Sequence, residues 1–101
     1  MTRLKNIHPG EILKEEFLVP MGISAYRLSK ETGLSQTRLS QILKEDRGIT
    51  AETALKLGKF FGMSAQFWMN LQARYDLEEA ERKYSKEIKK IPSAQELGLV
   101  S

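Results

Sequence analysis

Ser24-Ala-Tyr-Arg-Leu-Ser-Lys-Glu-Thr-Gly-Leu-Ser-Gln-Thr-Arg-Leu-Ser-Gln-Ile-Leu43 holds two short helical patterns that meet at Gly33. Glycine carries a chain through positive φ without a Cβ clash, so Gly33 predicts a tight corner between two helices. Leu28 before the corner, and Leu34, Leu39 and Ile42 after it, fall at spacings that seal one helix on the other. Ser29 is small enough for the two to approach closely. The pattern reads as a helix-turn-helix. On its second helix Leu39, Ile42 and Leu43 turn one way, which leaves Ser35, Gln36, Thr37, Arg38, Ser40, Gln41 and Lys44 outward. Nearly all of these side chains hydrogen-bond readily to a base edge or a phosphate.

Working outward, the chain reads as helical throughout. His8-Pro9-Gly10-Glu11 opens a first helix, with proline tolerated at its first position and Glu11 suited to the positive end of the dipole. Ile7 and Ile12 are placed for a hydrophobic staple across that start. Leu13 and Phe17 mark the inner face; Pro20 and Gly22 predict an end near Leu18. Ser24, Ser35, Thr50 and Ser64 each precede a helical apolar pattern and are expected N-caps. Gly62 is a C-terminal stop for the fourth helix, and Gly58 inside it costs about 1 kcal/mol against alanine, which predicts a close helix crossing there. The fifth pattern continues through Leu77, Ala80, Tyr84, Ile88 and Ile91, with Glu78–Arg82 and Glu79–Lys83 as expected surface pairs. The fold class is therefore all-α: a five-helix domain over residues 1–77 and a helical C-terminal extension and tail over residues 78–101.

Composition narrows the function. A chain of 101 residues with net charge +3 leans only weakly toward a polyanion. The 16 basic residues divide evenly between the two halves, so bulk charge does not locate a face. The absence of cysteine removes disulfides, thiolate metal sites and thiol catalysis, and fits a reducing cytoplasm. No secretory signal and no apolar run long enough for a membrane span is expected. The single histidine, His8, has no carboxylate at metal-ligand spacing and reads as a helix-start residue. No Ser/His/Asp set and no phosphate-cradling glycine loop can be assembled, so neither an enzyme nor a cofactor or metal is expected. Phe67, Trp68, Leu71 and Tyr75 resemble a base-stacking platform but, at helical spacing after a cap, read as core or dimer seam.

The chemistry belongs to the second helix of the pair. Ser35, Gln36, Thr37, Arg38 and Gln41 are the candidates for base readout: arginine donates twice to a guanine edge and glutamine pairs with adenine. Ser24, Arg27, Ser40, Lys44 and Thr50 are the candidates for phosphate contacts, helped by the amides at the helix N-termini at Ser24 and Thr50.

These residues carry a resemblance. His8-Pro9-Gly10-Glu11-Ile12-Leu13 with Gly22-Ile23-Ser24, then Ile49-Thr50-Ala51-Glu52-Thr53-Ala54-Leu55, and finally Phe61-Gly62-Met63-Ser64-Ala65-Gln66-Phe67-Trp68-Met69-Asn70-Leu71-Gln72 with Tyr75-Asp76-Leu77 resemble the HigA (VapI-like) antitoxins of the Xre, lambda-repressor-like class. The resemblance implies a homodimer on a palindromic double-stranded DNA operator in its own promoter. It also implies a complex with a HigB-like toxin, a RelE-type mRNA endonuclease. Members of that family often carry Gly-Lys-Arg after the recognition helix, where this chain has Lys44-Glu45-Asp46-Arg47. Its two acids would repel a phosphate and leave Lys44 and Arg47 as the loop's expected contacts. Two other readings stay open: a free-standing or phage-type repressor with no toxin, and an interaction module that no longer binds DNA.

Overall fold

The computed structural model describes residues 6–100, so the expected basic arm lies outside the described residues except for Asn6 and Ile7. Helix α1 occupies residues 9–21 as three continuous segments, Pro9–Ile12, Leu13–Leu18 and Val19–Met21, the middle one π-wound. Then follow α2 (Ala25–Thr32), α3 (Gln36–Leu43), α4 (Ala51–Phe61) and the long α5 (Ala65–Lys89). No strand occurs among the described residues, and none of the helices there is long and apolar enough to cross a membrane.

The four expected caps form. Ser24 Oγ accepts from the Arg27 amide and Ser35 Oγ from the Arg38 amide, both at 3.0 Å. Thr50 Oγ1 and Ser64 Oγ accept from the amides of Thr53 and Phe67, both at 3.3 Å. His8 caps α1 in the same way: its Nδ1 accepts the Gly10 amide at 2.9 Å while its ring stands edge-on to Tyr75. Each oxygen or nitrogen satisfies a helix-end amide that would otherwise need water.

Two details of α1 differ from the sequence reading. The helix runs past Leu18 and through Pro20 to Met21 because it is π-wound just before the proline, with the Val19 amide reaching back to the Lys14 carbonyl. The wider turn moves the preceding carbonyls away from the pyrrolidine ring, so Pro20 does not stop the helix; Gly22, at φ 65°, does. Ile7 remains 53% exposed, so the staple with Ile12 does not bury it, although Ile12 packs on the core.

Leu13, Leu28, Leu34, Leu39, Ile42, Leu57 and Trp68 make the centre of the core, each essentially without solvent exposure. Trp68 lies among aromatic rings, with centroids of Phe17 and Phe67 at 5.2 Å and Phe61 at 6.4 Å. Its indole N–H is buried with no hydrogen-bond partner, a cost of about 1–3 kcal/mol that the burial of so large a ring outweighs. The close approach predicted at Gly58 is to its own downstream turn: a Cβ there would meet the Met63 carbonyl at 2.7 Å and the Ala65 amide at 3.1 Å. That contact folds α5 back along α4.

Beyond Tyr75, α5 leaves the core. Leu77 (69%), Tyr84 (41%), Ile88 (51%) and Ile91 (69%) stay exposed. The expected surface pairs are arranged differently: Glu78 meets Arg74 at 3.6 Å and Glu79 meets Arg82 at 3.8 Å. Glu79 is drawn to the start of the chain, where the Asn6 amide donates to it at 2.6 Å.

Gly10 sets the distance between α1 and α3, because a Cβ at that position would overlap the backbone carbonyl of Ile42. Backbone cannot rotate away as a side chain can. Gly10→Ala is expected to cost about 2–3 kcal/mol of stability in urea titration, at the upper end of overpacking costs, and to shift α3 amide resonances most.

Candidate nucleic-acid interface

The α2–α3 corner is fixed by more than the glycine. Gly33 sits at φ 79° and its amide reaches the Ser29 carbonyl at 2.9 Å. Ser29 Oγ donates across the corner to the Leu34 carbonyl at 2.5 Å. Thr32 Oγ1 donates to the Leu28 carbonyl at 2.6 Å and accepts the Leu34 amide at 3.3 Å. Ser29 is therefore a hydrogen-bonding lock as well as a small residue. With Leu39 and Ile42 fully buried beneath it, α3 has one rotational setting.

That setting sorts the candidates. At about 100° per residue, Thr37, Ser40, Gln41 and Lys44 form the ridge opposite Leu39 and Ile42. Thr37 and Lys44 are exposed, while Ser40 and Gln41 are half-buried at its sides. Ser35 and Gln36 are exposed at the N-terminal tip. Arg38 lies toward the flank that faces α4, its side chain 29% exposed and its Nη1 at 3.3 Å from Glu52 Oε1. It flanks the outermost ridge and is not part of it.

The phosphate candidates are spread along the edges of this face. Ser24 and Thr50 are exposed caps at the starts of α2 and α4. The Thr50 hydroxyl also donates to Thr53 Oγ1 at 3.2 Å. Arg27 is exposed but paired along its own helix with Glu31 at 2.6 Å. Of the apolar candidates, Trp68 is core, Leu71 packs against the core, Tyr75 meets His8, and Phe67 is 36% exposed.

Two residues missed in the sequence shape this surface. Glu52, in the first turn of α4, takes Lys56 Nζ on Oε2 at 2.8 Å and Arg38 on Oε1. The Lys56 ammonium, and after it the Arg38 guanidinium, hold the Glu52 carboxyl below the usual carboxylate range. The Glu52–Lys56 spacing is an i,i+4 signal that could have found the first pair; Arg38 lies on another element and leaves no local signal. Gln72 on α5 is the second. Its Oε1 accepts the Ile49 amide at 2.7 Å while its Nε2 donates to Asp76 at 2.8 Å, which ties the α3–α4 loop to α5.

This loop contains a strained residue. Glu45 is at φ 67°, with its amide bonded to the Ile42 carbonyl at 3.0 Å and the next amide, of Asp46, to the Gln41 carbonyl at 2.8 Å. The two bonds close the end of α3 in the manner usually given to glycine.

A helix-turn-helix family model matches residues 13–68. Virulence-associated protein I of Dichelobacter nodosus is 55% identical over 76 residues, covering 75% of this chain and 70% of that protein. Antitoxin HigA-1 of Vibrio cholerae serotype O1 is 34% identical over 88 residues, covering 87% of this chain and 83% of the relative. Among solved structures, the Pseudomonas aeruginosa antitoxin HigA with the higBA promoter superposes at TM-score 0.84 and 44% identity, covering 87% of this chain and 97% of that one. The chain belongs to the HigA-like antitoxins of the Xre helix-turn-helix family.

A left-handed conformation costs a non-glycine residue about 1–2 kcal/mol, part of which glycine's extra unfolded-state entropy gives back. Glu45→Gly is accordingly expected to raise stability by about 0.5–1 kcal/mol in urea titration. A loss of stability would mean that contacts of the Glu45 side chain outweigh its backbone strain.

Proposed function

We propose that this protein is the antitoxin of a two-gene toxin–antitoxin pair: a homodimer that binds a palindromic operator, represses its own promoter by occupying it, and neutralises a HigB-like toxin. The observation that carries the DNA half is the single, locked setting of α3, which holds Thr37, Ser40, Gln41 and Lys44 as one hydrogen-bonding ridge with capped helix starts on either side. In a two-fold dimer each α3 would enter a major groove, the two half-sites lying about 34 Å apart. Ser35, Gln36, Thr37, Arg38 and Gln41 read bases; Ser24, Arg27, Ser40, Lys44 and Thr50 hold phosphates. Support for an operator comes from the Pseudomonas aeruginosa relative, whose structure includes the higBA promoter. The toxin half rests on the family. The protein works by binding and not by catalysis, in the cytoplasm, with residues 1–77 as the DNA-binding domain and residues 78–101 as an extension of it.

The dimer seam lies on the distal part of α5. With Trp68 in the core, the apolar side chains that the distal half of α5 leaves exposed are Leu77, Ala80, Tyr84 and Ile88, and Ile91 follows just past its end. Their spacing is three, four, four and three residues, symmetric about Tyr84. Two antiparallel copies would therefore place Leu77 on Ile91, Ala80 on Ile88, and Tyr84 on itself, the self-complementary arrangement a two-fold interface requires.

Co-expression with the small protein encoded beside it tests the whole reading. Co-purification together with relief of growth arrest is expected; a dimer that binds its promoter but captures and rescues nothing would leave a repressor without a toxin. Lys44→Ala should weaken operator and random DNA alike and reduce the slope of log K against log salt by about 0.9, the value of one phosphate contact. Tyr84→Glu should yield monomers in sedimentation experiments while the helical content and the fold of residues 6–75 persist.

A further inference from the structure

We infer that Glu52 is a specificity-determining residue of the DNA-binding face, a positioning residue that acts through Arg38. The inference rests on the reading of Arg38 as a base contact. The observations are geometric: a carboxylate in the first turn of α4 divides its two oxygens between cations on different elements, Arg38 of α3 at 3.3 Å and Lys56 of its own helix at 2.8 Å. Lys56 is set one turn further along α4, so the carboxylate is held from behind while its other oxygen faces α3. Arg38 is the most buried member of the group and lies on the flank of α3.

The consequence follows from what arginine does near DNA. Its guanidinium is a rigid fork that reads guanine only when the plane is correctly presented, and it otherwise binds any phosphate within reach. An unpaired Arg38 would have both options, and the phosphate option exists on every sequence. Glu52 removes it in two ways. It draws one nitrogen of the fork toward α4 before DNA arrives, and its negative charge makes a backbone phosphate a poorer neighbour for the same arginine. A guanine edge, which has acceptor atoms but no net charge, does not suffer that repulsion. The carboxylate therefore lowers affinity for random DNA more than affinity for the operator. Two cations to one anion leave the cluster with a net positive charge, so attraction to DNA is kept while its indiscriminate part is reduced.

The test is a double-mutant cycle read on specificity. Affinities for the promoter operator and for random duplex of equal length are measured at fixed salt for the wild type, Glu52→Gln, Arg38→Ala and the double variant, with thermal melts confirming the fold of each. Glutamine keeps the shape and removes the charge. The expected result is that Glu52→Gln strengthens binding to random DNA and lowers the operator-to-random ratio by about tenfold, within the discrimination carried by one bidentate base contact. In the Arg38→Ala background the same change should leave the ratio where it is. A rise of both affinities by one factor overturns the proposal, since Glu52 would then act only as a distant charge. A fall in the ratio that persists without Arg38 overturns it as well. A wild-type protein with no preference for its promoter overturns the DNA-binding reading and this inference together; a wild type that prefers its promoter while Glu52→Gln changes nothing overturns this inference alone.

Discussion

Everything on the candidate DNA-binding face depends on the rotational setting of one eight-residue helix. A helix of two turns is not stable in water by itself, so α3 exists only because neighbours complete it. Leu39 and Ile42 are its entire fully buried content. Ser35 closes one end, the Gly33 corner with its two hydroxyl locks fixes the entry, and Gly10 lets α1 lie directly on the Ile42 carbonyl at the other end. A rotation of one residue position, about 100°, would carry Leu39 and Ile42 out of the core and turn one edge of the polar ridge toward it. Recognition chemistry is therefore a by-product of packing: the core decides which side chains can be read against a groove.

The same logic links the loop after α3 to the longest helix. Gln72 reaches from α5 to the Ile49 amide, just ahead of the Thr50 cap. Its amide leaves little room at Gly48, where a Cβ would come within 2.8 Å of it. The start of α4, a proposed phosphate site, thus takes its position from α5. Because the proposed dimer seam is on the far end of α5, one continuous helix would connect partner pairing to the placement of the amides proposed to hold phosphate.

Features encoded within a turn or two were legible in the sequence. The four Ser/Thr caps, the Gly33 corner and the Gly22 and Gly62 stops each follow from local steric and hydrogen-bonding rules, and each formed as read. Pro20 misled because the rule that proline ends a helix assumes α-winding, and a π-wound segment upstream relaxes the clash. Gly58 was read as a helix crossing, but the contact is with a turn a few residues downstream. What could not be read were partners chosen by tertiary placement: Arg38 with Glu52, Gln72 with Ile49, Asn6 with Glu79. The Glu79–Lys83 pair went astray for that reason, since an i,i+4 rule cannot know that Asn6 competes for Glu79, whereas Glu78 takes Arg74, the other i,i+4 partner on its own helix.

The balance of charge on the candidate face bears on why a helix this long is attached to a domain this small. The outer ridge of α3 is made of hydroxyls and amides, with Lys44 at its end, while Arg38 and Arg27 are each engaged with a carboxylate. Hydroxyls and amides discriminate between bases but contribute little of the counterion release that supplies most raw affinity for DNA. One copy of such a face would bind weakly and selectively. Joining two copies converts the second contact into an intramolecular event, which raises affinity by orders of magnitude without a new charge and without new attraction to random sequences. A palindrome rewards that arrangement; random DNA, which presents one good half-site at most, does not. The exposed apolar stripe on α5 is thus part of the DNA-binding machinery on this argument, although it lies on the half of the helix that leaves the core.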